Sequence, residues 1–168
     1  VIWLPDNGKQ SIADSPGLVR SYLAEGATVI ISEVRGTGET ADRADMNDPK
    51  YFNREYRNAM LSLHNGESIV SQRVKDVLLI IDYAKHYKLP VEVHARGPVA
   101  LAALHAVFFR KDAVAKLYLY NCIASFKDIL NDPMRKDWYS WVVPGVLKYY
   151  DIPDLVKLVG EDKVIFVK

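Results

Sequence analysis

Short apolar runs of strand length alternate with longer amphipathic stretches along this chain of 168 residues. The run at 27–32 is continuous and β-branched, which predicts a strand covered on both faces. Between residues 68 and 87 the apolar side chains recur at helical spacing, which predicts a helix with one buried face. Five strands are predicted, at 1–4, 27–32, 91–95, 114–120 and 163–167. Because helical stretches separate them, the sequence predicts an α/β fold with a mostly parallel sheet and helices on both faces.

Composition and charge argue against several classes of function for this chain. The chain has the length of one domain. Lys and Arg number 22 and Asp and Glu 21, a net charge of +1, which argues against a dedicated nucleic-acid binder and a polybasic membrane surface. No apolar run approaches the ~18 residues that a membrane-spanning helix needs. The single cysteine, Cys122, excludes an intramolecular disulfide and a thiolate zinc site, and we predict neither a metal site nor a cofactor.

The segments that follow the predicted strands are the candidate binding residues. In an open parallel sheet, ligands bind beyond the carboxyl ends of the strands. Four segments stand in such places: Asp6-Asn7-Gly8, Glu33-Val34-Arg35-Gly36, Ala95-Arg96-Gly97-Pro98 and Asn121-Cys122. A binding site is therefore expected where these segments meet.

The turn after the second strand contains two closely spaced glycines, Gly36 and Gly38. A flavodoxin-like nucleotide-binding domain would place an anion at such a turn. The third glycine of a dinucleotide fingerprint is missing, as is any Gly-Lys-Ser/Thr sequence. The simpler interpretation is a glycine turn pinned by Arg35, whose guanidinium pairs with a carboxylate.

The stretch from 91 to 109 has the layout of a nucleophile elbow, a strand followed by a tight turn and a helix of small residues. An elbow presents its nucleophile at the turn. Here the turn consists of Arg96, Gly97 and Pro98, none of which can be acylated. The sequence therefore predicts the geometry of an elbow without its chemistry.

Three segments, in order, carry a resemblance to a known family. They are EVRGTGET at 33–40, SQRVKDV at 71–77 and LAALHA at 101–106. They resemble segments of acetyl xylan esterase-like α/β-hydrolases, and the similarity runs over most of 1–125. Arg35, Gly36, Arg73 and Asp76 form its structural signature. The resemblance implies part of a three-layer α/β-hydrolase sandwich and serine-dependent removal of acyl groups from sugars or related esters.

The chain departs from this family at the catalytic residues. The serine of the family's Gly-x-Ser-x-Gly pattern falls on Pro98, or on Gly97 if the register slips by one. The family's acid follows a strand like 164–167 and its histidine comes later, so both would lie beyond Lys168. The family's first strands would likewise precede Val1. We therefore expect residues 1–168 to form one hydrolase-like domain, incomplete at both ends and without its own catalytic triad. Pro98→Ser alone should not restore activity.

The resemblance also implies a binding loop and a biological context. In the family, backbone N–H groups after the first retained strand help to bind the oxyanion, and Asp6, Asn7 and Gly8 occupy that place here. The alternative for this loop is a plain type I turn. The implied partners are a carbohydrate ester or the rest of a larger esterase. The implied location, secreted or periplasmic, comes from the resemblance only.

Several other residues could carry chemistry that has moved away from the turn at 96–98. His94 is predicted to be a core or edge imidazole with one hydrogen bond, and His105 to be packed. Cys122 is either a thiol nucleophile or a small buried hydrophobe. The aromatic segment at 138–150 suits packing on the sheet, a carbohydrate cleft or a subunit interface. The sequence thus leaves two functions open: a hydrolase-family domain without its triad, and a non-catalytic scaffold or carbohydrate- or partner-binding domain attached to an active esterase.

Overall fold

The computed structural model describes residues 1–13, 16–46, 55–135 and 138–167. Within them the chain forms one five-stranded sheet, ordered β2-β1-β3-β4-β5, in which every neighbouring pair is parallel. The strands are β1 (Ile2–Leu4), β2 (Ile30–Ile31), β3 (Val91–Arg96), β4 (Val114–Tyr120) and β5 (Val164–Val167). The predicted α/β fold with a parallel sheet is therefore confirmed.

Seven α-helices and five short 3-10 helices connect the strands in the described residues. The α-helices are α1 (Gln10–Ala13), α2 (Pro16–Ala24), α3 (Tyr56–His64), α4 (Ile69–Ala84), α5 (Pro98–Phe109), α6 (Lys127–Asn131) and α7 (Ile152–Val159). The 3-10 helices are Gly38–Thr40, Ala44–Met46, Lys85–Tyr87, Trp138–Ser140 and Val146–Lys148. The helix predicted at 68–87 is α4 and the 3-10 turn behind it. Its N-cap is Ser68, whose hydroxyl accepts a hydrogen bond from the Ser71 amide at 3.0 Å.

The second strand is shorter and less covered than its sequence predicts. The apolar run at 27–32 yields only β2, and both of its residues are half-buried. This strand lies at the edge of the sheet and pairs only with β1, so the expectation that it is covered on both faces is wrong. All six residues of the run at 27–32 are half-buried.

One face of the sheet packs against the most apolar helix of the chain. Helix α5 contacts both β3 and β4, and α4 and α7 pack against α5. Four alanines of α5 have no exposed surface, which lets the helix approach the central strands closely. The buried strand residues of this core are Ile2, Leu4, Val93, Ala95, Leu117 and Leu119.

The opposite face is aromatic and contacts α2. The His94 ring on β3 stacks between Trp3 and Tyr118, with ring centroids 4.4 and 4.3 Å away. Its Nε2 hydrogen-bonds the Tyr22 hydroxyl on α2 at 3.2 Å, and its Nδ1 hydrogen-bonds the Tyr120 hydroxyl at 3.0 Å. His94 thus has two hydrogen bonds, not the one predicted, because a helix from the amino-terminal part of the chain reaches it.

The strand order fixes where a ligand can enter. From β1 the chain turns outward to β2, and it then crosses back to place β3 on the other side of β1. The connections behind β1 and β3 therefore leave in opposite directions, which opens a crevice at their carboxyl ends. No helix in the described ranges is long and apolar enough to cross a membrane.

Candidate functional site

A cavity of about 750 Å³ lies at the carboxyl ends of β1, β3 and β4. It occupies the crevice that the strand order predicts. Residues from three of the four candidate segments line it, joined by residues from the stretch between β4 and α7. The principal lining residues are Asp6, Gly97, Asn121, Asp128, Trp138 and Trp141.

The strand-to-helix turn between β3 and α5 is strained at Gly97. Its φ of 57° and ψ of −139° belong to a region that residues with a Cβ rarely enter. Pro98 follows as the first residue of α5, where its fixed φ and missing N–H cost nothing. Of the two registers that the sequence leaves open, the strained position of an elbow therefore corresponds to Gly97.

The carboxylate of Asp6 fills the space beside Gly97. A Cβ on Gly97 would lie 2.7 Å from Oδ2 of Asp6 and 3.2 Å from its Cβ. Arg96 lies on the other side of this carboxylate, with its Nε 3.9 Å from Oδ1. Position 97 therefore has no side chain, and the Asp6 carboxylate occupies the space that one would need.

The loop at 6–8 is held against the glycine turn by Glu33. The Glu33 carboxylate accepts hydrogen bonds from the backbone amides of Lys9 at 2.7 Å and Glu39 at 3.0 Å. Gly8 has a φ of 87°, and a Cβ there would collide with the Cα of Gly38. The two loops therefore approach closely because both positions are glycine. The Lys9 amide, the next donor after the loop, is already used by Glu33.

The four signature residues form a unit behind the same turn. Arg35 donates to Asp76 from Nε at 2.8 Å and from Nη2 at 2.5 Å. Burial alone would raise the pKa of Asp76, but the bonds from Arg35 outweigh it and hold that pKa below its ordinary value. Arg73 is fully buried and donates to the Arg35 carbonyl at 3.1 Å and to Glu55 at 2.5 Å, while its Nη2 would lie 3.1 Å from a Cβ on Gly36.

This arrangement bears on the nucleotide-binding alternative. Both arginines near the turn are engaged by carboxylates, and the helix behind it, Gly38–Thr40, has only three residues. Such a short helix has no N-terminus able to hold a phosphate. The turn therefore has a structural role: its residues hold it against α4.

Two residues that follow β4, Cys122 and Ser125, are unsuited to nucleophilic attack. Cys122 lines the cavity, but burial raises the pKa of its thiol to about 12, so the thiol stays protonated. Ser125 donates its hydroxyl proton to Asp151 at 2.5 Å and accepts from the Lys127 amide at 3.0 Å. Asp151 in turn caps α7 and accepts from the amide of Ile152.

No histidine lines this cavity in the part of the chain that the structure describes. His94 lies on the aromatic face of the sheet, and His105 lies on α5 with its Nδ1 bonded to the Leu101 carbonyl at 2.7 Å. His64 and His86 are exposed. Within the described ranges, no group of three or more His, Cys, Asp and Glu side chains could hold a metal ion. Among its described lining residues, the cavity therefore contains carboxylates but no pair of nucleophile and base.

Two tryptophans form one wall, a feature that sequence spacing could not distinguish from core packing. Trp138 and Trp141 are both buried and meet edge to face, with centroids 6.5 Å apart. The Trp138 indole donates to the Asp132 carbonyl, and the Arg135 guanidinium lies 4.6 Å above its ring. The Trp141 indole N–H has no hydrogen-bond partner among the described residues. A buried indole N–H normally finds an acceptor, so this one is an unsatisfied donor buried in the wall of the cavity.

The remaining polar groups suit hydroxyl recognition. Asp6 and Asn121 supply carboxylate and amide oxygens from the loops after β1 and β4, and Asp128 supplies a carboxylate from α6. Asn121 has a φ of 51°, a left-handed conformation that asparagine tolerates better than most residues. Sequence analysis identified Asp6 and Asn121 by their position after strands but missed Asp128, because it lies on α6, seven residues past Asn121.

No family model, curated protein or solved structure matches this chain. Support for a function therefore comes from the cavity and from the three segments that carry the family resemblance.

Proposed function

We propose that this chain is an acetyl xylan esterase-like α/β-hydrolase domain that binds a carbohydrate or carbohydrate ester without hydrolysing it. The observation that carries the proposal is the Asp6 carboxylate beside Gly97, at the turn where an elbow would present its nucleophile. A carboxylate fixed there repels the hydroxide or alkoxide that ester hydrolysis requires. The protonated thiol of Cys122 does not replace the missing serine.

The cavity supports the binding half of the proposal. Sugars offer hydroxyl groups for polar contacts and apolar ring faces for aromatic side chains. Asp6, Asn121 and Asp128 supply hydrogen-bond acceptors, and two indole rings form a wall. A volume of about 750 Å³ lies within the range of ~300–1,000 Å³ that small-molecule sites usually have.

The catalytic half is tested with acetyl-ester turnover and fluorophosphonate labelling. The wild-type chain, Gly97→Ser and Pro98→Ser should all show neither, because no histidine lies within reach of position 97. The double variant Asp6→Ala/Gly97→Ser removes the blocking carboxylate and should remain inactive for the same reason. Turnover and labelling by the wild-type chain would contradict the proposal.

The binding half is tested by titrating acetylated xylo-oligosaccharides into the same chain by calorimetry. Asn121→Gly keeps the left-handed backbone and removes an amide that lines the cavity, so affinity should fall about tenfold, the value of one well-made hydrogen bond. Lys88→Gly is the matched control, because Lys88 also has a positive φ but lies outside the cavity. An inactive chain that binds no saccharide would instead favour the scaffold function.

A further inference from the structure

A second cavity, of about 340 Å³, lies between α4, α5 and the segment that precedes α7. It shares no lining residue with the first cavity, which lies at the carboxyl ends of β1, β3 and β4 and is called the carboxyl-edge cavity below. Its walls are largely apolar, and its main apolar residues are Val70, Val74, Leu78, Phe109 and Val143. Its volume falls within the range of sites for small ligands.

His105 and Tyr150 both line this cavity, and the hydrogen bond that joins them lies at its wall. The Leu101 carbonyl can only accept, so the His105 Nδ1, 2.7 Å away, carries a proton. Burial lowers the pKa of His105, which keeps the ring neutral near pH 7. A neutral imidazole has one N–H, so its Nε2 must accept, and Tyr150 donates its hydroxyl proton to it at 2.8 Å.

With the protons placed in this way, the Tyr150 hydroxyl oxygen can still accept a hydrogen bond. Its only proton points at His105, and the free lone pair of its oxygen can receive a hydrogen bond. Ser71 is in the same position, because its hydroxyl donates to the Ser68 carbonyl at 2.8 Å. The cation at the rim, Lys75, is paired with Glu67 at 2.7 Å, so the opening does not favour an anion.

We propose that this cavity binds a small uncharged molecule with an apolar ring or branched body and one hydrogen-bond donor, which the Tyr150 oxygen receives. The apolar walls supply most of the binding free energy by removing the body from water. The Tyr150 acceptor sets the orientation and selects ligands that carry an N–H or O–H group. The site does not depend on the function proposed for the carboxyl-edge cavity, since the two have no residue in common.

The test compares indole with benzofuran, which has nearly the same shape but an oxygen in place of the N–H group. Each is titrated into the full chain and followed by amide chemical shifts. We expect indole to bind five- to tenfold more tightly, and the shifts to cluster on α4, α5 and the segment around Val143. Tyr150→Phe should reduce the preference to less than twofold and leave benzofuran affinity unchanged. Tyr149→Phe is the matched control, because Tyr149 is highly exposed and does not line the cavity.

A second variant keeps the test decisive if Tyr150→Phe unfolds. Val143→Trp should fill the cavity and weaken both probes by at least tenfold, with the fold checked by its thermal transition. The proposal is overturned if neither probe binds at millimolar concentration, or if the two bind equally well to the wild-type chain. It is also overturned if the chain self-associates through this cavity, which loss of a dimer in Val143→Asp would reveal.

Discussion

Gly97 adopts a φ of 57° and a ψ of −139°, a conformation that costs a residue with a Cβ roughly 1–3 kcal/mol. The same residue is crowded, since a Cβ would lie 2.7 Å from the Asp6 carboxylate. A serine at this position would therefore have to overcome backbone strain and move Asp6 before any chemistry began. Glycine is the residue that lets β3, α5 and the loop after β1 meet.

Gly97→Ala should lower the free energy of unfolding by about 2–4 kcal/mol, combining strain with the collision against Asp6. Asp6→Ala/Gly97→Ala should recover the part due to the collision, and a double-mutant cycle measured by urea unfolding separates the two. Gly17→Ala is the control, because nothing lies within 4 Å of a Cβ placed there. Alanine also favours a helix over glycine by about 0.5–1 kcal/mol. A cycle with no coupling between positions 6 and 97 would contradict this account.

Helix α4 links the core to the segment between β2 and α3 through Arg73. This side chain is 1% exposed and bonds both the Arg35 carbonyl and the Glu55 carboxylate. Lys75, two residues along the same helix, forms an ion pair with Glu67 in which both partners are substantially exposed. The Arg73–Glu55 and Lys75–Glu67 pairs have similar N–O distances, but the second is far more exposed to water.

Arg73→Met should therefore cost about 3–5 kcal/mol of stability, because it leaves a partly buried carboxylate without its guanidinium partner. Lys75→Met should cost less than about 1 kcal/mol, since water screens and replaces the exposed pair. Urea unfolding of the two variants, followed by far-UV circular dichroism, gives the comparison. Similar losses in the two would show that burial does not determine the value of these pairs.

Elements with a strong local pattern could be predicted from the sequence. Strand β4 coincides with the predicted 114–120, and α4 follows from seven apolar residues at helical spacing with Ser68 before them. The glycine and proline at 97–98 marked the turn into α5 correctly. These features depend on residues close together in the chain, so periodicity and turn chemistry are sufficient.

Features that depend on distant residues could not be predicted. The second hydrogen bond of His94 comes from Tyr22, 72 positions away. The carboxylate beside Gly97 comes from Asp6, and Trp141 lines the cavity from a segment that sequence patterns left as packing, cleft or interface. Sequence position showed that these residues follow strands or form an aromatic segment, but only the packed chain brings them together.

At the scale of the whole molecule, the two faces of the sheet are stabilised differently. The face under α5 is an apolar core, whereas the opposite face is organised around one imidazole. His94 is 2% exposed, lies between two aromatic rings and contacts two tyrosine hydroxyls. Burial lowers its pKa from 6.5 to about 4, because the charged form would lose its hydration inside this stack.

The low pKa of His94 makes global stability sensitive to moderate acid. Between pH 6.5 and about 4 the unfolded chain binds a proton at this residue and the folded chain does not, so stability falls as the pH falls. The total loss from this residue is roughly 3 kcal/mol. His105, whose pKa burial also lowers, contributes in the same direction. The carboxyls of Asp76 and Asp82, held below their ordinary pKa of 3.8 against arginines, add their losses at lower pH.

His94→Phe keeps the aromatic stack and removes the titrating group. It should flatten the dependence of unfolding free energy on pH between 6.5 and 4, even if the loss of two hydrogen bonds lowers stability at pH 7. His86→Phe is the control, because His86 is exposed and lies outside the aromatic stack. Urea unfolding at half-unit pH steps measures all three proteins. An unchanged slope in His94→Phe would mean that the imidazole is protonated in the folded chain, with water reaching the aromatic face of the sheet.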